Sequence, residues 1–130
     1  MAICFLERGT AEAVRKAINS DPEFKLASKF FSKDFLLVVG DSRCIIKVRD
    51  GLVTELVLDP NPLDPWSFMI KGSLASWEKF LLPAPPPFHN GLYPAMVRQI
   101  LELGGDLESA FAHFWPVARL LDLMRELQNR

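Results

Sequence analysis

Cysteine and histidine are scarce in this chain. Cys4 and Cys44 are the only cysteines, and His89 and His113 the only histidines. Two thiols are too few for a disulfide framework and show no Cys-x-x-Cys spacing, so both are read as free. With no His-x-x-x-His, no His-Glu-x-x-His and no Cys/His cluster, the sequence offers no metal site, since a metal needs several convergent ligands. Excess charge is missing too: 15 Lys and Arg against 16 Asp and Glu leave a formal net charge of -1. That lacks the basic footprint of a nucleic-acid binder, so DNA and RNA are not expected partners. No uncharged apolar run approaches the ~20 residues that cross a bilayer, and the start has no positive region followed by a long apolar core. The expectation is therefore no transmembrane segment, no secretory signal and a cytoplasmic location.

Motifs for common chemistry are absent as well. Gly104-Gly105 belongs to no Gly-x-Gly-x-x-Gly or Gly-Lys-Ser/Thr pattern, and a tight turn explains it better than a phosphate cradle. There is no Gly-x-Ser-x-Gly elbow, and Ser73, Ser76 and Ser109 have no base nearby in sequence. Glu102 and Asp106 read as a strand-surface residue and a helix cap. No catalytic residue and no cofactor is assigned.

What the chain does have is apolar surface. Hydrophobic residues make up 49% of its 130 positions, with ten phenylalanines and three tryptophans. A chain of this length fits one domain, which buries roughly two thirds of the surface its unfolded form exposes. Residues 1–130 are read as that single domain, with 1–9 as an N-terminal extension.

The apolar spacing then sets the elements. Thr10 is expected to cap a helix over 11–20 with Val14, Ala17 and Ile18 on one face. Asp21-Pro22 restarts the pattern as N-cap and first helical residue of a helix over 22–32, with Leu26, Phe30 and Phe31 inward. From Phe35 the period becomes two. Runs at 35–39, 43–49 and Leu52–Leu58 are joined by Gly40-Asp41-Ser42 and Asp50-Gly51, predicting three consecutive antiparallel strands. In the second, Cys44, Ile46 and Val48 share a face opposite Arg43, Lys47 and Arg49. An apolar strand setting would raise the Cys44 thiol pKa and leave it inert.

Prolines 60, 62 and 65 make a stiff connection to a fourth strand at 66–72. A helix over 73–82 should bury Leu74, Trp77, Phe80 and Leu81. The proline-rich 83–87 segment reads as an extended spacer in preference to a ligand for proline-binding modules. A helix over 92–99, a fifth strand at 100–106 and helix through 107–130 complete the chain, with Pro116 starting or kinking the last element. Twice a strand stops at glycine and a capping residue, at Gly72-Ser73 and Gly105-Asp106, and feeds an amphipathic stretch.

This order of elements, with Phe68-Met69-Ile70-Lys71-Gly72-Ser73, a helix carrying Trp77, and then Leu101-Glu102-Leu103-Gly104-Gly105-Asp106, resembles the sterol carrier protein type 2 domain family over most of residues 20–128. Leu101, Leu103, Gly105 and Asp106 match the end of the family's last strand. The resemblance implies an α+β fold, a five-stranded, mainly antiparallel sheet covered on one face by about five helices. It also implies a tunnel between sheet and helices for fatty acyl, sterol-like or other lipid molecules. The 83–87 insert departs from the family, where many members carry a glycine-containing stretch, and this bears on the depth and entrance of the pocket.

The leading reading is non-enzymatic binding or transfer of an apolar small molecule. Its cavity walls are expected at Leu56, Trp66, Phe68, Trp77, Phe80, Leu101, Phe111, Phe114, Trp115, Leu120 and Met124, with His113, beside two aromatics, as a polar pocket group. A cofactor-free enzyme or accessory subunit acting on a lipid or polycyclic substrate, with His113 or Asp106 as proton carrier, is the alternative. A third reading is an accessory protein whose apolar groove holds a partner helix or an identical subunit.

Overall fold

A computed structural model describes residues 2–130. A short 3-10 turn at Cys4–Leu6 leads into α1 (Arg8–Ser20) and α2 (Pro22–Ala27), followed by β1 (Asp34–Val39), β2 (Ser42–Arg49) and β3 (Leu52–Leu58). Then come β4 (Phe68–Gly72), α3 (Leu74–Phe80), α4 (Leu92–Val97), β5 (Glu102–Gly105), α5 (Leu107–Ala112) and α6 (Phe114–Gln128). The sheet order is β3-β2-β1-β4-β5. The β1–β2, β2–β3 and β4–β5 pairs are antiparallel, whereas β1 and β4 run parallel because the helix-free residues 59–67 carry the chain back to the other side of the sheet.

Strand alternation sends Phe35, Leu37 and Val39 of β1, Cys44, Ile46 and Val48 of β2, and Phe68 and Ile70 of β4 into one core with Trp77, Phe80, Leu120 and Met124. The β3 alternation is interrupted: a register shift at Lys47/Val48 inserts a bulge, so Val53 faces the core together with Leu56 and Leu58. A bulge of one residue resets which face a strand presents. On the opposite face the cross-strand pair Leu36 and Ile45 is buried as well, between charged neighbours such as Arg43 and Lys47.

Three helix starts follow the capping rule. Asp21 accepts from the Phe24 amide at 2.8 Å, Ser73 from Ser76 at 3.0 Å and Asp106 from Ser109 at 3.2 Å. Thr10 does not cap α1: the helix begins three residues earlier than expected, at Arg8, and the Thr10 hydroxyl donates back to the Cys4 carbonyl. The 3-10 turn creates that acceptor, which is local geometry invisible to a capping pattern. Ile3 and Phe5, within the stretch read as an extension, are core residues.

The α2 expectation needs correcting. The helix buries Phe24 and turns Leu26, two residues on, to the opposite face at 80% exposure; it ends at Ala27, and beyond it Phe31 is buried while Phe30 is 85% exposed. Ser28 breaks the period, being fully buried and donating to the Gly51 carbonyl at 3.0 Å. Leu74 is likewise half exposed, because it starts α3 at the end of the sheet. Trp66 and Ser67 precede β4, and Ile100 and Leu101 precede β5, since the amides of 100 and 101 both turn back to the Ala95 carbonyl and finish α4. Among the described residues no helix is long and apolar enough to cross a membrane.

Candidate functional site

One edge of the sheet is β5, which carries two adjacent glycines. A Cβ at Gly104 would lie 2.6 Å from Met69 Cε, and one at Gly105, whose φ is +79°, would lie 2.8 Å from the Trp66 ring. The chain enters β5 through Gln99, which takes the left-handed conformation at φ +59° to end α4, and leaves it through the Asp106 cap of α5. α4 and α5 therefore flank β5 and leave a groove along it.

Met96 of α4, Leu101 and Leu103 of the β5 segment, and Leu107 and Phe111 of α5 line this groove, which has a volume of about 410 Å3. Leu107 and Phe111 are four apart and so share one helix face. Gln99 and Glu102 supply its polar rim. Phe111 stacks with Phe114 at 6.4 Å between centroids, and Phe114 meets Tyr93 edge-on at 6.4 Å, so an aromatic row continues from the groove to α4. A second, polar trough of about 450 Å3 shares Gln99 and Glu102 with the first and is further lined by Gly40, Lys71, Gly72, Ser73, Ser76 and Ile100.

The sequence-derived wall residues fall into four groups. Leu101 and Phe111 line the groove. Phe68, Trp77, Phe80, Leu120 and Met124 are buried core, and Leu56 and Phe114 are partly buried against it. Trp66 belongs to another groove, about 310 Å3 and polar, with Lys33, Asp34 and Arg49. Trp115, 79% exposed, and Phe111, 53% exposed, project outward, because α5 stops at Ala112 and α6 restarts at Phe114, which rotates Trp115 away from the core. The centre between sheet and helices is filled by rings: Phe35 stacks on Phe68 at 5.2 Å, and Trp77 packs edge-on against Phe5 at 5.7 Å and Phe80 at 5.8 Å. Apolar space opens at the margin.

His113 stacks on Phe31 at 4.6 Å. Burial, then the nearby Lys33 charge, lowers its pKa and favours the neutral ring. It is not among the residues lining the groove. Asp106 is engaged as a cap, and its hydrogen bonds from Ser109 lower its pKa. Cys44 is buried and its thiol is pushed up to about 12 by burial, as its strand position predicts; Cys4, also desolvated, rises to about 11. Glu102 is the one ionisable residue lining the apolar groove. Such a lining offers contact surface and a polar rim, with no nucleophile and base held together.

Met96, Leu103 and Leu107 complete the groove without having been named as cavity walls from the sequence. The Leu107/Phe111 spacing was a readable signal; that α4 would lie beside them was not.

No family model and no curated protein matches the chain in sequence. Solved structures do match. A crystal structure of sterol carrier protein 2 superposes with a TM-score of 0.70 at 19% identity, covering 89% of this chain and 93% of that one. A conserved hypothetical protein of Thermus thermophilus, suggested to be a sterol carrier protein, gives 0.74 at 18% identity, over 96% and 90%. The SCP2-type ubiquinone synthesis protein UbiJ gives 0.59 at 15% identity, over 89% and 88%. With about nine tenths of its length superposing on these structures, the chain has the sterol carrier protein 2 fold.

Proposed function

We propose that the protein binds, and by releasing again transfers, an apolar small molecule such as a fatty acyl chain, seated in the groove between β5, α4 and α5. The observation that carries this reading is the groove itself: Met96, Leu103, Leu107 and Phe111, over the buried Leu101, line about 410 Å3. Small-molecule sites occupy roughly 300–1,000 Å3 and combine apolar walls with a few polar groups, as here. The fold supports the reading by likeness to proteins described as sterol carriers. Of the residues expected as cavity walls, Leu101 and Phe111 serve in this proposal, joined by Met96, Leu103 and Leu107.

Burying about 300 Å2 of alkyl surface yields roughly 7 kcal/mol before association and ordering costs, which points to micromolar or weaker binding. Titration with a fluorescent fatty acid tests it. Phe111→Ala should weaken binding about five- to tenfold, whereas Trp115→Ala, outside the lining, should leave it unchanged. Equal effects of the two substitutions, or saturable binding untouched by Phe111→Ala, would place the ligand elsewhere.

A further inference from the structure

Four asparagines occur in the chain, and the fold leaves one of them unlike the rest. Asn19 is held at both ends of its amide, donating to the Val53 carbonyl at 2.9 Å and accepting from the Val53 amide at 2.8 Å. Asn61 accepts from the Leu63 amide and precedes Pro62, which has no N–H. Asn129 donates to the Leu81 and Arg125 carbonyls at 2.7 and 2.8 Å. Asn90 is exposed, its side chain makes no hydrogen bond among the described residues, and the next residue is Gly91. This pair lies between α3 and α4, where the Gly91 amide donates to no group among the described residues. The comparable pair Asp50-Gly51 is restrained, because the Gly51 amide donates to the Phe31 carbonyl at 2.9 Å.

From this contrast we propose that Asn90-Gly91 is a self-modification site, at which the folded protein converts Asn90 to aspartate and isoaspartate. The Gly91 nitrogen attacks Asn90 Cγ and gives up its proton, the Cγ–Nδ2 bond breaks, and ammonia departs from a five-membered succinimide. Water then opens the ring. Addition at Cγ gives aspartate, whereas addition at the Asn90 backbone carbonyl carbon gives isoaspartate, with the main chain running through the former side chain. Glycine has no Cβ to obstruct the attack, and no hydrogen bond of either reacting group has to break first. The isoaspartyl product lengthens the main chain by one carbon between two tethered carbonyls: that of His89 accepts from Arg125 Nη2 at 3.0 Å, and that of Gly91 accepts from the Ala95 amide at 3.2 Å to open α4. The added length disturbs the start of α4.

Incubation of the folded protein at mildly alkaline pH, followed by peptide mapping with mass spectrometry, tests the site. The peptide containing Asn90 should show the amide-to-acid mass change about tenfold faster than those containing Asn19, Asn61 or Asn129, and in native buffer at a rate within about fivefold of that in urea. Gly91→Ala should slow the conversion about tenfold with unaltered melting, since its Cβ comes no closer than 3.5 Å to Pro94 and φ is -178°. A native rate more than about fivefold below the urea rate, or conversion unaffected by Gly91→Ala, would overturn the site. Amide hydrogen exchange in Leu92–Val97 should quicken in the isoaspartyl fraction but not in Asn90→Asp, which has the charge without the longer main chain. Equal exchange in the isoaspartyl and unmodified proteins would overturn the effect on α4.

Discussion

Gly51 occupies the turn between β2 and β3 at φ +77°, and a Cβ there would sit 2.6 Å from the Ser28 carbonyl oxygen. The Asp50-Gly51 pair was legible as a turn signal, but the close approach of the α2 terminus was not, because it joins residues 23 positions apart. Gly40, at φ +59°, has nothing nearer than 3.6 Å. A side chain in the left-handed region costs about 1–2 kcal/mol. Gly40→Ala should therefore lower stability by about that amount, and Gly51→Ala by distinctly more, since buried backbone must also move. Urea midpoints with unchanged slopes measure this; equal losses would show that the turn conformation alone matters. Leu26 and Phe30 stay exposed. Their apolar character promised burial, but Leu26 sits on the helix face opposite the buried Phe24, and Phe30 lies beyond the helix end, where the helical period no longer holds.

At the scale of elements, α2 is fastened to α6 through Asp21. Its carboxylate caps α2 and also accepts from Arg119 Nε at 3.0 Å and Nη2 at 2.9 Å. The Arg119 guanidinium, more than the Phe24 amide, holds the Asp21 pKa below the usual carboxylate range against the opposing effect of burial. The unfolded chain thus binds the proton more readily. The stabilisation is complete above the ordinary carboxylate pKa of about 4 and is lost as pH falls through the lower folded value. Asn also caps helices well, so Asp21→Asn removes the ion pair while keeping the cap. Its stability should fall less steeply than the native protein's between pH 5 and 2; parallel acid profiles would exclude Asp21 as the linked group. The proline-rich segment is held in a similar way. Arg125 donates to the Phe80 and His89 carbonyls at 2.6 and 3.0 Å, Asn129 donates to Leu81 at 2.7 Å, and Arg98 lies 4.0 Å over the Phe88 ring. The reading of that segment as a spacer therefore describes its path, with α6 as the element that fixes it.

Across the whole molecule, the two ends of the chain meet. The Cys4 amide donates to Gln128 Oε1 at 2.7 Å, and Phe5 is fully buried against Trp77. Phe5→Ala should cost about 3–5 kcal/mol, a large share of the stability of a domain this size, with a correspondingly lower melting temperature. A change below about 1 kcal/mol would mean that the first turn is dispensable to the core. The sequence by itself determined the period-two runs, the hairpin turns at Gly40 and Gly51, the caps at Asp21, Ser73 and Asp106, and hence the order of elements, because these depend on side-chain alternation and on hydrogen bonds within four residues. It also marked Leu101 and Phe111 as apolar and correctly placed Cys44 in the core. Only tertiary structure decided that β1 would pair parallel with β4, that Phe5 and Trp77 would fill the centre, and that Met96, Leu103 and Leu107 would line a groove at the margin. Those outcomes depend on which surfaces meet after long loops close, and hydrophobicity alone does not say whether an apolar side chain fills a core, walls a groove or, like Trp115, faces solvent.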